Sequence, residues 1–185
     1  EYDSAAYWLE LRANKDTLNV NWQLVAGLYI HIHHYGTTNY STAALRYLNR
    51  ALHSALSRLG EMNEDVAKCY SCIGHVYSSI GNYSEALTLH QKALKIQLDI
   101  YGENHPDVAE AYNKIGDVYS NQGDYSKAIE MHQNALIIRM KIYGESHPYV
   151  AYSYNCLADI YETKCDYSKA VEMHQKALKI TLEFY

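Results

Sequence analysis

The chain has little of what marks a membrane protein or a nucleic-acid-binding protein. Its longest apolar stretch, residues 24–30, is far shorter than the ~18 apolar residues that suggest a membrane helix, and no signal-peptide pattern is visible. Sixteen basic against 21 acidic residues give a net charge of -5, and the lysines and arginines do not cluster. We therefore expect neither a membrane nor a nucleic acid as a partner.

Cysteine is also scarce, and the four cysteines do not recur at a fixed spacing. They are Cys69, Cys72, Cys156 and Cys165. A disulfide framework in a repetitive chain would place the cysteines at the same position of each repeat, and a chain of this size does not need disulfides for stability. Cys69 and Cys72 form a C-x-x-C pair, but neither a thioredoxin-like βαβ pattern nor a second pair accompanies it. We expect packed or half-exposed free thiols and a cytoplasmic location.

What the chain does have is an internal repeat of 42 residues. Tyr83, Tyr125 and Tyr167 mark the period. The predicted units are 1–22 (the second helix of a preceding unit), 23–65 (a divergent unit whose first helix can be registered in two ways), 66–107, 108–149 and 150–185 (truncated). In a repeat array, each unit is one supersecondary element that buries its apolar face against its neighbours. The sequence therefore predicts one solenoid, with function residing in a surface.

Each unit carries two helical patterns, with apolar and small residues three, four and seven positions apart. Gly81 and Gly123 suit the left-handed residue that ends the first helix. Pro106 and Pro148 fall at the expected first turn of that helix in the next unit, where a missing N–H group costs little. Asn82, Asp124 and Asp166 are placed to cap the second helix. The pattern predicts an all-α protein built from helical hairpins.

The small residues of these hairpins resemble the signature of the tetratricopeptide repeat (TPR). They lie at Gly74, Gly116 and Ala158 and at Ala86, Ala128 and Ala170. The period of 42, with Y-G-E-x-H-P between units and K-A-L in the second helix, looks like the kinesin light chain type, also found in nephrocystin-like proteins. The resemblance covers residues 66–185 well and residues 1–65 weakly. It implies a right-handed superhelical solenoid of antiparallel helix pairs, whose concave face holds a partner's peptide or helix.

The resemblance also implies which residues contact the partner. In kinesin light chains an asparagine early in the first helix reaches the peptide backbone. Asn113 and Asn155 occupy the matching position in two units of this chain, whereas a third unit has Ser71 there. Asp117 and Asp159 are acids where carboxylate-gripping TPR clamps carry basic residues, so a basic partner segment is expected. The implied set is Ser71, His75, Ser78, Glu110, Asn113, Asp117, Ser120, Tyr152, Asn155, Asp159 and Glu162. The alternative is that these residues are ordinary solvent-exposed positions on helices and bind no partner.

The histidines do not form a convincing reactive site. His31, His33 and His34 are the densest cluster, but no local cysteine or carboxylate completes a metal site, so adventitious metal binding is the favoured interpretation. Two further groups recur with the repeat and are expected to serve its fold: His90, His132 and His174 in the second helix, and His105 and His147 at the turn. No phosphate loop or nucleophile elbow is visible. We predict no catalytic residue, no cofactor and no metal ligand.

Two alternatives to a free-standing scaffold remain open at this stage. The chain begins and ends within a repeat and finishes on apolar residues, as expected of a piece of a longer array. It could be the sensor or autoinhibitory arm of a larger enzyme or signalling ATPase, whose catalytic domain lies outside this segment. It could also stack end to end, or dock, in a larger complex.

Overall fold

The computed structural model describes Val20 and residues 38–184 of the chain. Residues 38–184 form seven α-helices and no β-strand. The helices are α1 Thr38–Leu59, α2 Glu64–Ser79, α3 Tyr83–Tyr101, α4 Pro106–Gln122, α5 Tyr125–Tyr143, α6 Pro148–Thr163 and α7 Tyr167–Phe184. The chain divides into two compact units, Glu1–Ile100 and Tyr101–Tyr185.

Local capping chemistry sets where the predicted first helices begin. The imidazole Nδ1 atoms of His105 and His147 accept hydrogen bonds from the backbone N–H groups of Asp107 (3.2 Å) and Tyr149 (3.1 Å). These bonds satisfy N–H groups that have no partner within the helix. Proline follows each histidine at the first helical position, as the sequence predicted. The recurrent histidines of the turn are therefore helix caps.

Left-handed residues end the first helices. Gly123 has φ 84°, and Gly81 has φ 81°. The corresponding residue of the last unit is Cys165, with φ 58°, and no other non-glycine residue in the described part of the chain has a positive φ. A side chain in this conformation costs free energy that glycine avoids. The following helices start at caps such as Asp124, whose carboxylate accepts from the N–H of Lys127 at 3.2 Å.

Each compact unit buries an apolar core between consecutive helices. In the first unit α1 packs on α2, and the core includes Tyr47, Leu48 and Val76. In the second unit α4 packs on α5, α5 on α6 and α6 on α7, and Val150 and Leu157 belong to a core there. The predicted all-α array of helix pairs is confirmed.

The helix α1 lies where the sequence predicts the second helix of the divergent unit. The first helix of that unit and the segment 1–22 lie outside the described residues, Val20 excepted, so the unit boundaries stay predictions. None of the helices in the described part of the chain combines the length and the apolar character of a membrane span.

Candidate functional site

A groove opens between α4 and α6 in the second compact unit. Its volume is about 280 Å³, and we call it the acidic groove. The residues that line it are Asp117, Ser120, His132, Tyr152, Asn155, Cys156, Asp159, Ile160 and Thr163. Asp117, Tyr152, Asn155 and Asp159 are exposed, whereas His132 and Ile160 are buried. Five of the predicted partner-binding residues therefore line one groove: Asp117, Ser120, Tyr152, Asn155 and Asp159.

Asn113 is not on the surface of this groove. It is only 2% exposed, and its side chain contacts two buried residues of α5. In the amide orientation that satisfies both neighbours, its nitrogen donates to His132 Nδ1 at 3.2 Å and its oxygen accepts from Arg139 at 2.7 and 2.8 Å. Asn113 therefore joins α4 to α5. Binding of a partner by Asn113 stays a prediction, and its observed contacts are internal.

Arg139 is the centre of a polar network that connects three helices. Its guanidinium group is buried, donates to Ser153 Oγ at 2.7 Å and lies 3.4 Å from Glu110 Oε2. It also lies over the ring of Tyr152, 5.2 Å from the ring centre. A buried cation needs such partners, because transferring it out of water is costly otherwise. Arg139 was missed by sequence reasoning, although it stands where the flanking units carry Gln97 and Thr181.

His132 forms the buried floor between Asn113 and Asp117. Its Nδ1 accepts from Asn113, so its Nε2–H donates to Asp117 Oδ1, 3.4 Å away. A Cβ atom added to Gly116 would lie 2.7 Å from His132 Nε2, closer than packed atoms tolerate. Glycine at this position therefore lets the imidazole lie against α4. The prediction that the recurrent histidines of the second helix serve the fold holds for His132.

Asn155 occupies the same repeat position as Asn113 but is exposed. Its Oδ1 lies 3.1 Å from His174 Nδ1, and His174 Nε2 lies 3.2 Å from Glu162 Oε1. The side chain of His174 is 42% exposed, against 2% for His132. Two equivalent asparagines thus have different surroundings, and only Asn155 can reach a molecule in the groove directly.

Burial disfavours the reactive thiolate form of two cysteines. Burial raises the pKa of Cys156, which lies beside Tyr152, and burial likewise raises the pKa of the Tyr152 phenol. Burial raises the pKa of Cys69 to about 12. The thiolate is the reactive form of cysteine, so a raised pKa disfavours nucleophilic chemistry. All four cysteines are free, with Cys69 buried and Cys165 exposed.

The remaining predicted residues lie elsewhere. Ser71, His75 and Ser78 are on α2 in the first compact unit. Glu110 is half-exposed and pairs with Lys114 Nζ at 3.0 Å as well as with Arg139. Glu162 is beside His174, outside the lining of the acidic groove.

Comparison with known proteins supports the repeat architecture. The sequence matches the tetratricopeptide repeat family model over residues 65–136 and again over residues 107–183. No curated protein sequence gives a significant match. BtubC (BKLC) from P. vanneervenii has a similar structure, with a TM-score of 0.75 and 22% identity over 89% of this chain and 64% of that chain.

Two further solved structures share the fold. The kinesin light chain TPR-like repeats of Podosopora anserina give a TM-score of 0.77 at 17% identity, over 98% of this chain and 87% of that chain. A Rap protein complexed with Competence and Sporulation Factor gives 0.73 at 20% identity, over 89% of this chain and 43% of that chain. This chain spans less than two thirds of the length of BtubC and of the Rap protein. It belongs to the tetratricopeptide repeat family, with the fold of kinesin light chain repeats.

Proposed function

We propose that the chain is a non-catalytic protein-interaction scaffold, and that the acidic groove binds a basic segment of a partner protein. The observation that carries this proposal is the exposure of two carboxylates in one groove. Asp117 is 61% exposed at its side chain, and Asp159 is exposed one repeat further on. No lysine or arginine is among the residues that line the groove, and Arg139, which lies over the ring of Tyr152, is buried and paired with Glu110. The groove therefore presents negative charge to a ligand.

The groove also offers contacts to a main chain. Asn155 is exposed and carries both a donor and an acceptor, which suits an extended or helical segment of a partner. Tyr152 adds a half-exposed ring against which an aliphatic lysine or arginine stem can pack. Because the carboxylates are exposed, the attraction to a basic segment weakens as salt rises.

Two further observations are consistent with this role. A structural neighbour, the Rap protein, was crystallised as a complex with Competence and Sporulation Factor, so the shared fold is compatible with ligand binding. The free thiols suit a reducing compartment, and a cytoplasmic location is part of the proposal.

Binding of charged peptides to a matched pair of variants tests the proposal. An array of lysine- and arginine-containing peptides is compared with charge-reversed versions, and the best binder is titrated by fluorescence anisotropy. Asp117→Asn with Asp159→Asn is expected to weaken binding roughly 2- to 30-fold, since exposed ion pairs contribute about 0.2–1 kcal/mol each. Glu130→Gln with Glu145→Gln removes the same charge from exposed positions on α5 and the turn after it. Equal losses of peptide affinity in both double variants would show that binding depends on net charge and not on the groove.

A second candidate function is carried by α7, which presents an apolar face to solvent. Leu178 is 58% exposed, whereas Leu136 at the same repeat position of α5 is 9% exposed because α6 covers it. Leu182 on α7 is also exposed. The occupant that fits such a face is a helix resembling α6, from a neighbouring domain of an enzyme or ATPase, or from another protein of a stacked complex.

The α7 surface has its own test. Sedimentation velocity on the chain, compared with Leu178→Gln and Leu182→Gln, measures self-association through this face. Stacking predicts larger species that the substitutions disperse. A monomer at all concentrations would rule out stacking. Docking to a neighbouring domain then predicts a nucleotide-binding or hydrolase motif in the complete gene sequence, and repeats alone would contradict it.

A further inference from the structure

Three metal-ligating side chains meet on the surface of the last helical hairpin. Asp159 and Glu162 lie one turn apart on α6, and His174 faces them from α7. One donor atom from each residue lies within 4.8 Å of the other two. The closest pair, His174 Nε2 and Glu162 Oε1, is 3.2 Å apart.

The orientation of His174 makes this pair informative. In the amide orientation that places the Oδ1 atom of Asn155 3.1 Å from His174 Nδ1, that oxygen can only accept, so Nδ1 carries the hydrogen. In a neutral imidazole, Nε2 then presents a lone pair to the Glu162 carboxylate, which also only accepts. The 3.2 Å between these two atoms is also the spacing of two ligand atoms on one metal ion.

The preceding unit shows how the same position is satisfied without an ion. There Arg139 donates hydrogen bonds to the side-chain oxygen of Asn113, and the Asn113 amide nitrogen donates to His132 Nδ1. The Nε2–H group of His132 then donates to Asp117. The residue equivalent to Arg139 in the last unit is Thr181, so no guanidinium group at that position sets the orientation of the Asn155 amide. The residue equivalent to Glu162 is Ser120, so only one carboxylate lies beside His132. The three-ligand cluster is thus specific to α6 and α7 among the described helices.

We propose that Asp159, Glu162 and His174 bind a divalent transition-metal ion, with Zn²⁺ as the representative. Zn²⁺ takes imidazole nitrogen and carboxylate oxygen at about 2.0–2.2 Å. An ion at these distances from His174 Nε2 and Glu162 Oε1 subtends roughly 100° between them, close to a tetrahedral angle. Asn155 is the positioning residue, because its contact with Nδ1 fixes the ring so that Nε2 faces the ion.

The binding site would tie the two helices of the last hairpin together. Three protein ligands leave one tetrahedral position open for water or for a group from a partner. The site is exposed, so an ion reaches it without a change in the fold. This inference does not rest on peptide binding by the acidic groove.

Isothermal titration calorimetry with ZnCl₂ tests the proposal. The background variant is His31→Ala with His33→Ala and His34→Ala, which removes the other dense histidine segment. It is expected to bind one Zn²⁺ ion in a saturable step that His174→Ala or Glu162→Gln abolishes. Asn155→Ala is expected to weaken binding roughly 10- to 100-fold, as loss of a residue that orients a metal-bound histidine does. Glu172→Gln, an exposed acid of α7 paired with Lys176, is the matched control and leaves binding unchanged.

Two results would overturn the site. Absence of Zn²⁺ binding in the background variant would mean that a proton, or a reversed Asn155 amide, satisfies His174. Binding that survives both His174→Ala and Glu162→Gln would be adventitious. Co²⁺ absorption spectra and circular dichroism of each variant separate loss of coordination from loss of folding.

Discussion

The network around Arg139 gives a sharp prediction, because two asparagines at one repeat position have different roles. Asn113→Ala removes two hydrogen bonds to a buried guanidinium group and one to His132. Hydrogen bonds to charged groups contribute about 1.5–3 kcal/mol, and a buried polar group left without a partner costs further free energy. We expect the free energy of unfolding of the second compact unit to fall by about 3 kcal/mol. Asn155→Ala exposes no buried partner, and we expect a loss below about 0.5 kcal/mol.

Thermal and urea unfolding followed by circular dichroism measure both variants. For a chain of this size, about 3 kcal/mol lowers the Tm by roughly 6–12 °C, whereas the loss expected for Asn155→Ala lowers it by less than about 2 °C. Arg139→Met supplies a control for the mechanism. In that background Asn113→Ala should cost less, because the guanidinium group it stabilises is gone. Equal, small Tm losses in Asn113→Ala and Asn155→Ala would refute the buried network.

Four further predictions concern individual glycine and cysteine residues. Gly116→Ala is expected to destabilise the chain by about 1–2 kcal/mol, because the new Cβ atom would lie 2.7 Å from the buried ring of His132. Gly74→Ala is expected to destabilise it less, because its Cβ atom would lie 3.0 Å from the ring of His90. Equal losses of Tm in the two variants would contradict this. Cys165→Gly is expected to raise the free energy of unfolding by about 0.5–1 kcal/mol by relieving a left-handed backbone, and an unchanged urea midpoint would contradict it. At pH 8 a thiol reagent should modify Cys165 and spare Cys69 until the chain unfolds. Because burial raises the pKa of Cys69 in the folded state, its contribution to stability should fall as pH rises above about 9.

The fold was predictable because its signals are local. Pro106 and Pro148, the histidines before them and the left-handed Gly123 act within one turn of a helix end. Their spacing therefore fixes where helices begin and end. The repeat then supplies the pairing of helices, because each unit buries the same small residues against its neighbours.

The site was only partly predictable, because burial of a polar side chain depends on distant partners. Asn113 and Asn155 share one register, yet Asn113 is buried by contacts with Arg139 from α5. Sequence reasoning assigned both asparagines to the partner-binding face. The internal contacts of Asn113 give it a role in stability that the register alone does not indicate. The cluster of Asp159, Glu162 and His174 forms across a hairpin, so no single helix pattern indicates it.

Nuclear magnetic resonance of the ¹⁵N-labelled chain during titration with a lysine-rich peptide tests the central claim most directly. Ligand binding in the acidic groove predicts saturable shifts of the amide signals at Asp117, Asn155 and Asp159. It also predicts that the exposed face of α5 around Glu130 stays unshifted. Shifts spread evenly over exposed acids, or confined to α5 and α7, would contradict the groove as the partner-binding surface.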